Sequence, residues 1–498
     1  MNDVQNELRR SIRLIGRIME NRHQRLPIST TGCLDRRQFF LTAGAVAWAT
    51  SLAGGRGATA RAYAADSGII RVTRGPADLV IPPRTPEEQV CRYGVGAPFQ
   101  LSPTMAAMTC SLRIEKTPVG DFESGVDVIL FDDLSRISAE HASPVSRNEK
   151  YVHTSTGKPR IIVKYPLTGG FVPLGARRAD GSPHPHAGTG FGLCEVLDFP
   201  MHGEWKTGYY RKEDKKTDMI RGTEVRQLAY DGKVLRATET VRTTLENPPQ
   251  APDSEWKLIW PGLTWAIPDG DDLLYPTYAA RGDATTWVPE PVASGVARWR
   301  RQDGRWRPIT FVPVAHQEGA GMWAEPSLIR DTDGSLLFTA RGAYGDFDNL
   351  VRVWRSADNG RTWDVLIDLP KARGQAPVTL NQAADGTPYI VANLPGHERD
   401  WLGLWPLQPD RKALGAMINV RNAVEDFGPP PSGLVWFMDH PSAATLRLAD
   451  GEWHHVLTYR LMDRGEHSGG EPTPHTGQYV EEVISAGATR PLWKFGEA

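Results

Sequence analysis

The stretch Glu325-Pro-Ser-Leu-Ile-Arg-Asp-Thr-Asp-Gly-Ser-Leu-Leu-Phe-Thr-Ala-Arg341 has the pattern of a single β-hairpin. Two runs suited to strands, residues 326–330 and 336–340, flank Asp333-Gly334. An Asp-Gly pair supplies the positive φ values that a tight hairpin turn needs. The hairpin therefore brings the carboxylate of Glu325, before the first strand, close to the guanidinium of Arg341, after the second.

Asp-Gly turns recur along the chain, each next to segments suited to strands. They begin at Asp180, Asp231, Asp269, Asp333, Asp385 and Asp450. Their intervals suit four-stranded blades lengthened by loops, and Asp231 is the weakest member of the series. Six such turns predict an all-β fold, a six-bladed β-propeller over residues 158–498. A further turn at Asp303-Gly304 has the position of an outer hairpin within a blade.

The composition supports an all-β protein and narrows the range of partners. The 498 residues include 49 Gly, 39 Pro and 16 Trp, which is typical of many short strands joined by turns. The net charge is −2 at pH 7, so nothing indicates a nucleic-acid partner. The sequence carries no signal for an oligomeric state.

The N-terminal segment, residues 1–65, is similar to a twin-arginine export signal. Arg36-Arg37 precedes an apolar run to about Leu52, and Ala62-Tyr63-Ala64 offers the small residues of a cleavage site. This predicts a periplasmic or extracellular protein, with no stable membrane span in the mature chain. Residues 66–157 contain three predicted strands, at 69–73, 109–115 and 126–131, and we treat them as a lead-in that packs on the propeller and donates a closing strand.

Ser356-x-Asp358-x-Gly360-x-Thr362-Trp363 has the pattern of an Asp box. The Ser and Asp side chains are expected to bond backbone N–H groups of the turn, and the Trp to pack between sheets. Such a box lies on a peripheral turn, so it indicates the fold and not the catalytic site.

The Asp box, the repeated Asp-Gly hairpins and the Glu325…Arg341 spacing resemble the sialidase superfamily of six-bladed propellers, over about residues 158–485. The resemblance implies that Glu325 is catalytic and that Arg341 binds a substrate carboxylate. Bidentate pairing with a carboxylate is the physical reason for Arg at such a position. Arg281 ends a second Ala-Arg-Gly copy and is expected at the same rim, and Arg411, with Arg421 as competitor, has the position of a third arginine.

Two sialidase elements are missing. The F/Y-R-I-P element of the first blade is absent, with Pro159-Arg160-Ile as a distant counterpart. The tyrosine nucleophile of the last blade is absent too, because the stretch before Asp450 reads Trp436-Phe-Met-Asp439-His440-Pro.

Further candidate residues lie in the first and last of the predicted blades. Asp439 and His440 are one candidate pair, in which Asp439 orients the imidazole or acts as a general acid if burial raises its pKa. Strand alternation places His455 and Tyr459 on one face and Arg460 on the other. Asp180 is a candidate partner of Glu325, and the nearby His184 and His186 are candidates for substrate binding. No further ligand has suitable spacing for a metal site with these two histidines, so neither a metal nor another cofactor is predicted.

Three functions are consistent with these residues. The first is a sialidase-like glycoside hydrolase that acts on an acidic glycan at the channel mouth, with Glu325 as a catalytic carboxylate. The second is a polysaccharide lyase, in which His440, His455, Tyr459 or His184 abstracts a proton next to a uronate carboxylate. The third is a non-catalytic propeller that binds a glycan or a protein.

Overall fold

The chain folds into six antiparallel sheets that form the blades of a six-bladed β-propeller. The structure is a computed structural model that describes residues 68–74, 90–92, 96–114, 125–164, 167–204, 214, 218–243, 258–280, 292–316, 321–343, 349–374, 376–468 and 473–496. No helix among these residues is both long enough and apolar enough to cross a membrane.

The first three blades are numbered in chain order. A single strand, β1 (Ile69–Arg74), precedes them. Blade 1 contains β2 (Val90–Arg92), β3 (Pro98–Ser102), β4 (Met105–Ile114), β5 (Gly125–Phe131) and β6 (Ala142–Arg147). Blade 2 contains β7 (Glu149–Val152), β8 (Pro159–Lys164), β9 (Thr168–Val172), β11 (Thr189–Pro200), β12 (Ile220–Tyr230) and β13 (Leu235–Thr243), and β10 (Ala176–Arg177) lies in its β9–β11 connection. Blade 3 contains β14 (Leu258–Pro261), β15 (Ile267–Asp269), β16 (Asp272–Ala280), β17 (Val292–Gln302) and β18 (Arg305–His316).

The last three blades are more regular. Blade 4 contains β19 (Met322–Arg330), β20 (Leu336–Ala343), β21 (Val351–Ser356) and β22 (Asp364–Leu369). Blade 5 contains β23 (Thr379–Gln382), β24 (Pro388–Asn393), β25 (Trp401–Pro406) and β26 (Ile418–Asn422), followed by the short helix α1 (Ala423–Phe427). Blade 6 contains β27 (Trp436–Arg447), β28 (Trp453–Asp463) and β29 (Gly477–Ser485), and β30 (Lys494–Phe495) pairs with β10. Among the described residues, 3₁₀ turns cover Leu134–Arg136, Ala139–His141 and Arg464–Ser468.

A complete ring of hydrogen bonds joins the first strands of neighbouring blades around the channel. Going round from blade 1, the bonds are Leu174 N to Leu101 O, Ala266 N to Gly169 O, Leu263 N to Pro326 O, Leu380 N to Ser327 Oγ, Ala443 N to Asn381 Oδ1, and Arg447 N to Gln100 Oε1. Each of these groups is satisfied by the adjacent blade, so the innermost strands of all six blades depend on one another for burial of their polar groups.

Residues 66–157 are part of the propeller, and the predicted division at residue 158 is not a boundary in the fold. The strand β1 pairs with β29 and completes blade 6, so the N-terminal end of the described chain closes the ring as expected for a donated strand. The strands of blade 1 lie within the same segment, and they belong to the same compact unit as the rest of the propeller. Blade 1 was not predicted from the sequence because its first turn, Pro103-Thr104, contains no Asp-Gly pair.

Five of the six predicted Asp-Gly turns join the first two strands of a blade. They are Asp180 in blade 2, Asp269 in blade 3, Asp333 in blade 4, Asp385 in blade 5 and Asp450 in blade 6. Asp231 instead joins β12 to β13, an outer hairpin like Asp303 between β17 and β18. All of these turns lie at one end of the propeller, which we call the Asp-Gly face. The start of β19 and the end of β20 lie at the opposite end, which we call the Glu325 face.

The hydrogen bonds of the Asp358 turn show that the Asp box stabilises a turn of the fold. Asp358 Oδ1 accepts hydrogen bonds from the backbone N–H groups of Arg361 and Thr362, at 3.0 and 2.9 Å. Ser356 Oγ accepts one from the backbone N–H of Gly360 at 2.8 Å. The turn joins β21 to β22 and therefore lies on the Asp-Gly face, far along the blade from Glu325.

Candidate active site

Two equivalent bulges aim side chains inward at the Glu325 face. The register of β19 against β20 shifts between Ala324 and Ser327, and that of β27 against β28 shifts between Asp439 and Ser442. Each bulge contains an X-Pro-Ser sequence, in which X is Glu325 or His440. The φ angles of these two residues are 51° and 52°, in the left-handed region that side chains other than Gly seldom adopt. Such strain is typical of sites where the surrounding fold fixes a functional side chain.

Glu325, His440 and Asp439 form a continuous chain of polar contacts. Asp439 Oδ1 lies 2.9 Å from His440 Nδ1, and Glu325 Oε1 lies 3.4 Å from His440 Nε2. His440 is 4% exposed, and in the part of the chain that the structure describes its buried Nε2 has no hydrogen-bond partner. The imidazole is therefore oriented by Asp439 and keeps one ring nitrogen available for proton transfer.

Arginines hold both carboxylates in place. Arg341 Nη1 donates a hydrogen bond to Glu325 Oε2 at 3.0 Å, so the two ends of the β19–β20 hairpin meet as expected. Arg460 binds Asp439 in bidentate fashion, with both nitrogen–oxygen distances at 2.8 Å. Arg399, from the β24–β25 connection, donates to Asp439 Oδ2 at 2.7 Å. Blade 6 thus repeats the carboxylate–arginine arrangement of blade 4.

Electrostatics keep both carboxylates ionised. Burial opposes ionisation of Glu325, but Arg341 and His440 outweigh it and lower the pKa of Glu325 to about 2. Burial likewise opposes ionisation of Asp439, and Arg460, His440 and Arg399 hold its pKa well below the ordinary value. The condition under which Asp439 would act as a general acid, a pKa raised by burial, is therefore not met, because the buried carboxylate is paired.

His440 is the group in this cluster whose pKa is raised. Burial lowers the pKa of His440, but the Asp439 and Glu325 carboxylates raise it by a larger amount. The pKa of His440 therefore lies above the ordinary histidine value. An imidazolium held between two carboxylates can donate a proton from Nε2, so His440, and neither carboxylate, has the protonation state of a general acid.

The structure places four of the predicted residues on the opposite face. Asp180 is exposed on the Asp-Gly face, where it accepts hydrogen bonds from Ser182. His184 and His186 lie in the same connection, and His184 Nε2 is 3.3 Å from the Gly270 carbonyl of the next Asp-Gly turn. Burial lowers the pKa of both histidines. Arg411 pairs with Asp331, next to the Asp333 turn, at 2.8 Å. None of the four therefore joins Glu325 at the site.

Two other predicted residues are also outside the cluster. Tyr459 lies on the opposite side of β28 from Arg460, as strand alternation predicts, and its hydroxyl bonds Glu481 at 2.6 Å and Arg421 at 2.5 Å. Burial raises the pKa of Tyr459 well above the ordinary value, so the phenol stays protonated within this network. Arg281 lies outside the described residues.

Several residues at this site were not predicted from the sequence. Arg399 comes from a connection with no distinguishing motif, so no sequence signal marked it. Glu195, Arg221 and Tyr278 form a second charged network beside Glu325, with Arg221 Nε 2.8 Å from Glu195 Oε1 and the Tyr278 hydroxyl 3.5 Å from Glu195 Oε2. Burial, then the charge of Glu195, raises the pKa of Tyr278, and Glu325 adds to this shift.

An X-Pro pair recurs in the sequence of each blade, within or near its innermost strand. The pairs are Ala97-Pro98, Tyr165-Pro166, Trp260-Pro261, Glu325-Pro326, Ala376-Pro377 and His440-Pro441. Tyr165-Pro166 lies outside the described residues. Ala97-Pro98 and Ala376-Pro377 lie at or just before a strand of their blades, whereas Trp260-Pro261, Glu325-Pro326 and His440-Pro441 lie within β14, β19 and β27. This repeat identifies His440 as the counterpart of Glu325. It is the sequence signal from which the proximity of the two residues could have been predicted.

The described residues include no group of three or more His, Cys, Asp or Glu side chains that could hold a metal ion. That the site needs no metal stays a prediction. The carboxylates at the Glu325 face are paired with arginines.

No family model and no curated protein matches the chain. Among solved structures, the chain is similar to Trypanosoma rangeli sialidase, at 14% identity and a TM-score of 0.44, covering 83% of this chain and 58% of that one. It is also similar to the leech intramolecular trans-sialidase, at 11% identity and a TM-score of 0.47, covering 82% and 70%. A sialidase from Streptococcus pneumoniae matches at 10% identity and a TM-score of 0.44, covering 79% and 69%. The chain spans 54% of the trypanosomal sialidase solved with 2,3-difluorosialic acid.

Proposed function

We propose that the chain is a glycoside hydrolase with a sialidase-like fold that acts on an acidic glycan at the Glu325 face. The observation that carries the proposal is the position of His440 Nε2, buried, without a hydrogen-bond partner among the described residues, and 3.4 Å from an ionised Glu325. Glycosidic cleavage needs one group that protonates the leaving oxygen and one that stabilises the positive anomeric centre. The raised pKa of His440 and the lowered pKa of Glu325 fit these two roles.

In this proposal His440 donates the Nε2 proton to the glycosidic oxygen as the bond to the anomeric carbon breaks. Asp439 stabilises the imidazolium before the transfer and fixes the ring through Nδ1. Glu325 supplies the negative charge that stabilises the oxocarbenium-like transition state while water adds to the anomeric carbon, or it attacks that carbon and water then displaces it. In either case the neutral His440 left by the first step accepts the proton of the water. Arg341 orients the Glu325 carboxylate without taking part in the proton transfer.

The charge of the cluster supports an anionic substrate. Among the described residues, three guanidinium groups, on Arg341, Arg399 and Arg460, contact the two carboxylates of Glu325 and Asp439. Protonation of His440 adds a further positive charge. Arg341 and Arg399 are partly exposed while Arg460 is buried, so the first two are the groups that a substrate carboxylate would meet.

A lyase acting on a uronate-containing glycan is the second candidate. It is favoured by the same Nε2, because a neutral His440 with its proton on Nδ1 presents a lone pair that could accept the C5 proton. The raised pKa of His440 favours the acid role over this one.

The test is turnover of a panel of acidic and neutral glycans by the full chain and by His440→Gln. His397→Gln is the matched control, because His397 also pairs with an aspartate on blade 5 but is more exposed. We expect new reducing ends without ultraviolet absorbance, and their loss in His440→Gln alone. An ultraviolet-absorbing unsaturated product would identify the lyase, and glycan binding without any product would identify a binding propeller.

We also propose that residues 1–65 direct export, as the Arg36-Arg37 pair and the following apolar run suggest. The replacement of both arginines by lysine should retain a fused reporter in the cytoplasm, and unchanged export of that variant would contradict the proposal.

A further inference from the structure

The outer hairpin of blade 3 is strongly basic. Its sequence, Arg298-Trp-Arg-Arg-Gln-Asp-Gly-Arg-Trp-Arg307, holds five arginines and a single acid, Asp303. Trp299 and Trp306 of this hairpin pack against Phe191 of blade 2, with ring centroids 3.8 and 6.3 Å from that of the phenylalanine. One side of the basic hairpin therefore faces blade 2, and its turn lies on the Asp-Gly face.

The arginines on the two sides of this hairpin differ in their partners. Arg300 binds Asp272 in bidentate fashion, at 2.8 and 2.7 Å. Arg301 lies on the opposite side of β17, together with Trp299, because successive side chains of a strand alternate between its faces. The Arg301 side chain is partly exposed, and it has no hydrogen-bond or ion-pair partner among the described residues. Its charge is therefore not matched by a bonded carboxylate within that part of the chain.

His186, in the β9–β11 connection of blade 2, lies beside Arg301. Trp306 is directly opposite Arg301 in the β17–β18 pairing, so the two side chains project to the same side of the sheet. The edge of the Trp306 ring system contacts the His186 ring, with centroids 5.4 Å apart. Burial, and then the charge of Arg301, lowers the pKa of His186, which agrees with this proximity. The guanidinium and the imidazole therefore lie next to each other, on either side of Trp306.

The hydrogen bonds around His186 indicate where its ring carries a proton. The backbone N–H of His186 donates to His184 Nδ1 at 3.2 Å, and His184 Nε2 lies 3.3 Å from Gly270 O, so the connection is held in place. His186 Nδ1 is buried and has no partner among the described residues. A proton on that nitrogen would lose its hydrogen bond to water without a replacement, which costs free energy. We therefore expect the neutral ring to carry its proton on Nε2, at the partly exposed side of the ring.

The groups that Arg301 and His186 offer to a ligand are donors. The nearest carboxylate, that of Asp271, is bound by Arg178 in bidentate fashion, at 2.7 and 2.5 Å, so it does not neutralise Arg301. Arg301 contributes a planar pair of N–H groups with a positive charge, and His186 contributes one N–H. Such a set suits the three terminal oxygens of a phosphate or sulfate ester better than the two oxygens of a carboxylate.

We propose that Arg301 and His186 form a binding site for the phosphate or sulfate group of an ester on the Asp-Gly face. Arg301 binds two of the oxygens through Nη1 and Nη2, and His186 donates from Nε2 to the third. Trp306 holds the two side chains at a fixed separation. The site lies at the end of the propeller opposite Glu325 and His440, so it is independent of the glycan chemistry proposed there.

The test is calorimetric titration of the full chain with glucose 6-phosphate and glucose 6-sulfate, and with glucose as the uncharged comparison. The salt concentration is kept at about 0.15 M, because distant charges are then largely screened. We expect binding of an ester and binding at least about tenfold weaker for glucose, which lacks the charged group. The ester that binds more tightly identifies the source of the anion. No binding of either ester, or equal binding of glucose, would overturn the proposal.

Variants of the two side chains locate the binding. Arg301→Gln should weaken it about tenfold or more, and Arg301→Lys should restore only part of the affinity, since an ammonium lacks the planar pair of donors. His186→Phe keeps a ring against Trp306 but removes the donor, so it should weaken binding about two- to tenfold.

Arg307→Gln is the matched control. It makes the same change of charge on the same hairpin, but Arg307 is opposite Arg300 in the pairing and so lies on the side away from His186. It should bind the ester as the unmodified chain does, and so should His440→Gln. Equal weakening in Arg307→Gln and Arg301→Gln would show only the general charge of the hairpin and would overturn the site. Loss of binding in His440→Gln alone would place the ester at the Glu325 face and would also overturn it.

Discussion

His440 and Glu325 lie on blades that are not neighbours, yet Nε2 of the histidine is 3.4 Å from Oε1 of the glutamate. Blade 5, between them, has Ala376 at the equivalent X-Pro position and so contributes only a methyl group there. Both residues have positive φ angles at bulges in their strands. The approach of the two side chains is therefore set by the ring of first strands, and not by a local motif.

The charge on Glu325 should control the pH dependence of the proposed reaction. Glu325→Gln removes one of the two carboxylates that raise the pKa of His440. If His440 acts as an acid, activity is present below the pKa of His440 and is lost as pH rises through it, so the alkaline limb of kcat/KM should move to lower pH. The rate should also fall by about 10²–10³, as for loss of one electrostatic stabiliser.

The control for this experiment is Asp400→Asn, which removes a carboxylate beside His397 on blade 5. Its pH profile should match that of the unmodified chain. A Glu325→Gln enzyme with full activity and an unshifted profile would remove Glu325 and His440 from the mechanism.

Asp439 should matter for folding as well as for function. Asp439→Asn leaves the nearly buried Arg460 and the imidazole of His440 without their carboxylate. Breaking a buried ion pair in this way costs about 3–5 kcal/mol. Urea unfolding should report the loss, and Asp368→Asn, which breaks the exposed Arg352–Asp368 pair, should change the unfolding free energy by only about 0–1 kcal/mol. A similar small change for both would show that Asp439 is not a structural ion-pair partner.

The local part of the fold could be predicted from sequence because turn chemistry is local. The Asp333 hairpin has the expected turn, with Gly334 at φ 88°, and strands that extend a few residues beyond the predicted ends. The count of six blades was also right, but blade 1 was missed because its first turn lacks Asp-Gly. Asp231 took its place in the count, although it belongs to an outer hairpin.

The composition of the site was harder to predict, because it depends on which ends of the strands share a face. Asp180 lies on the same kind of turn as Asp333, and that relationship alone places it at the end opposite Glu325. Arg411 lies between the third and fourth strands of blade 5, which join at the Asp-Gly face too. Arg399 reaches Asp439 across a blade boundary, and such a contact follows from the packing of blades and not from any spacing in the chain.

Ser327 should be a measurable link between blades 4 and 5. Its Oγ accepts the hydrogen bond of the Leu380 N–H at 2.8 Å, and both residues are fully buried. Ser327→Ala leaves that N–H without its partner, so we expect a loss of about 1–3 kcal/mol in the unfolding free energy. Ser182→Ala removes the hydrogen bond that Ser182 Oγ donates to Asp180 on an exposed turn and should cost far less. Equal stability of the two variants would contradict a stabilising role for the ring of first strands.

His454 should make the stability of blade 6 depend on pH. The carboxylate of Glu482, followed by that of Asp450, raises the pKa of His454 to about 9, although burial opposes this shift. Because the folded pKa lies above the unfolded value of about 6.5, the stabilisation is complete below about pH 6.5 and is lost as pH rises through about 9. After a discount for solvent screening we expect a contribution of about 1 kcal/mol.

The measurement is urea unfolding of the full chain and of His454→Gln between these two pH values. Glu482 also lies opposite Thr73 in the β1–β29 pairing, so the imidazolium supports the strand pair that closes the ring. The stability difference between the two proteins should shrink steadily as pH rises from about 6.5 to about 9. His397→Gln, which alters a histidine–aspartate pair outside blade 6, is the control. The unfolding free energy of this variant should depend on pH as that of the unmodified chain does. A constant difference across the whole range would mean that His454 stabilises the blade by packing and not by its charge.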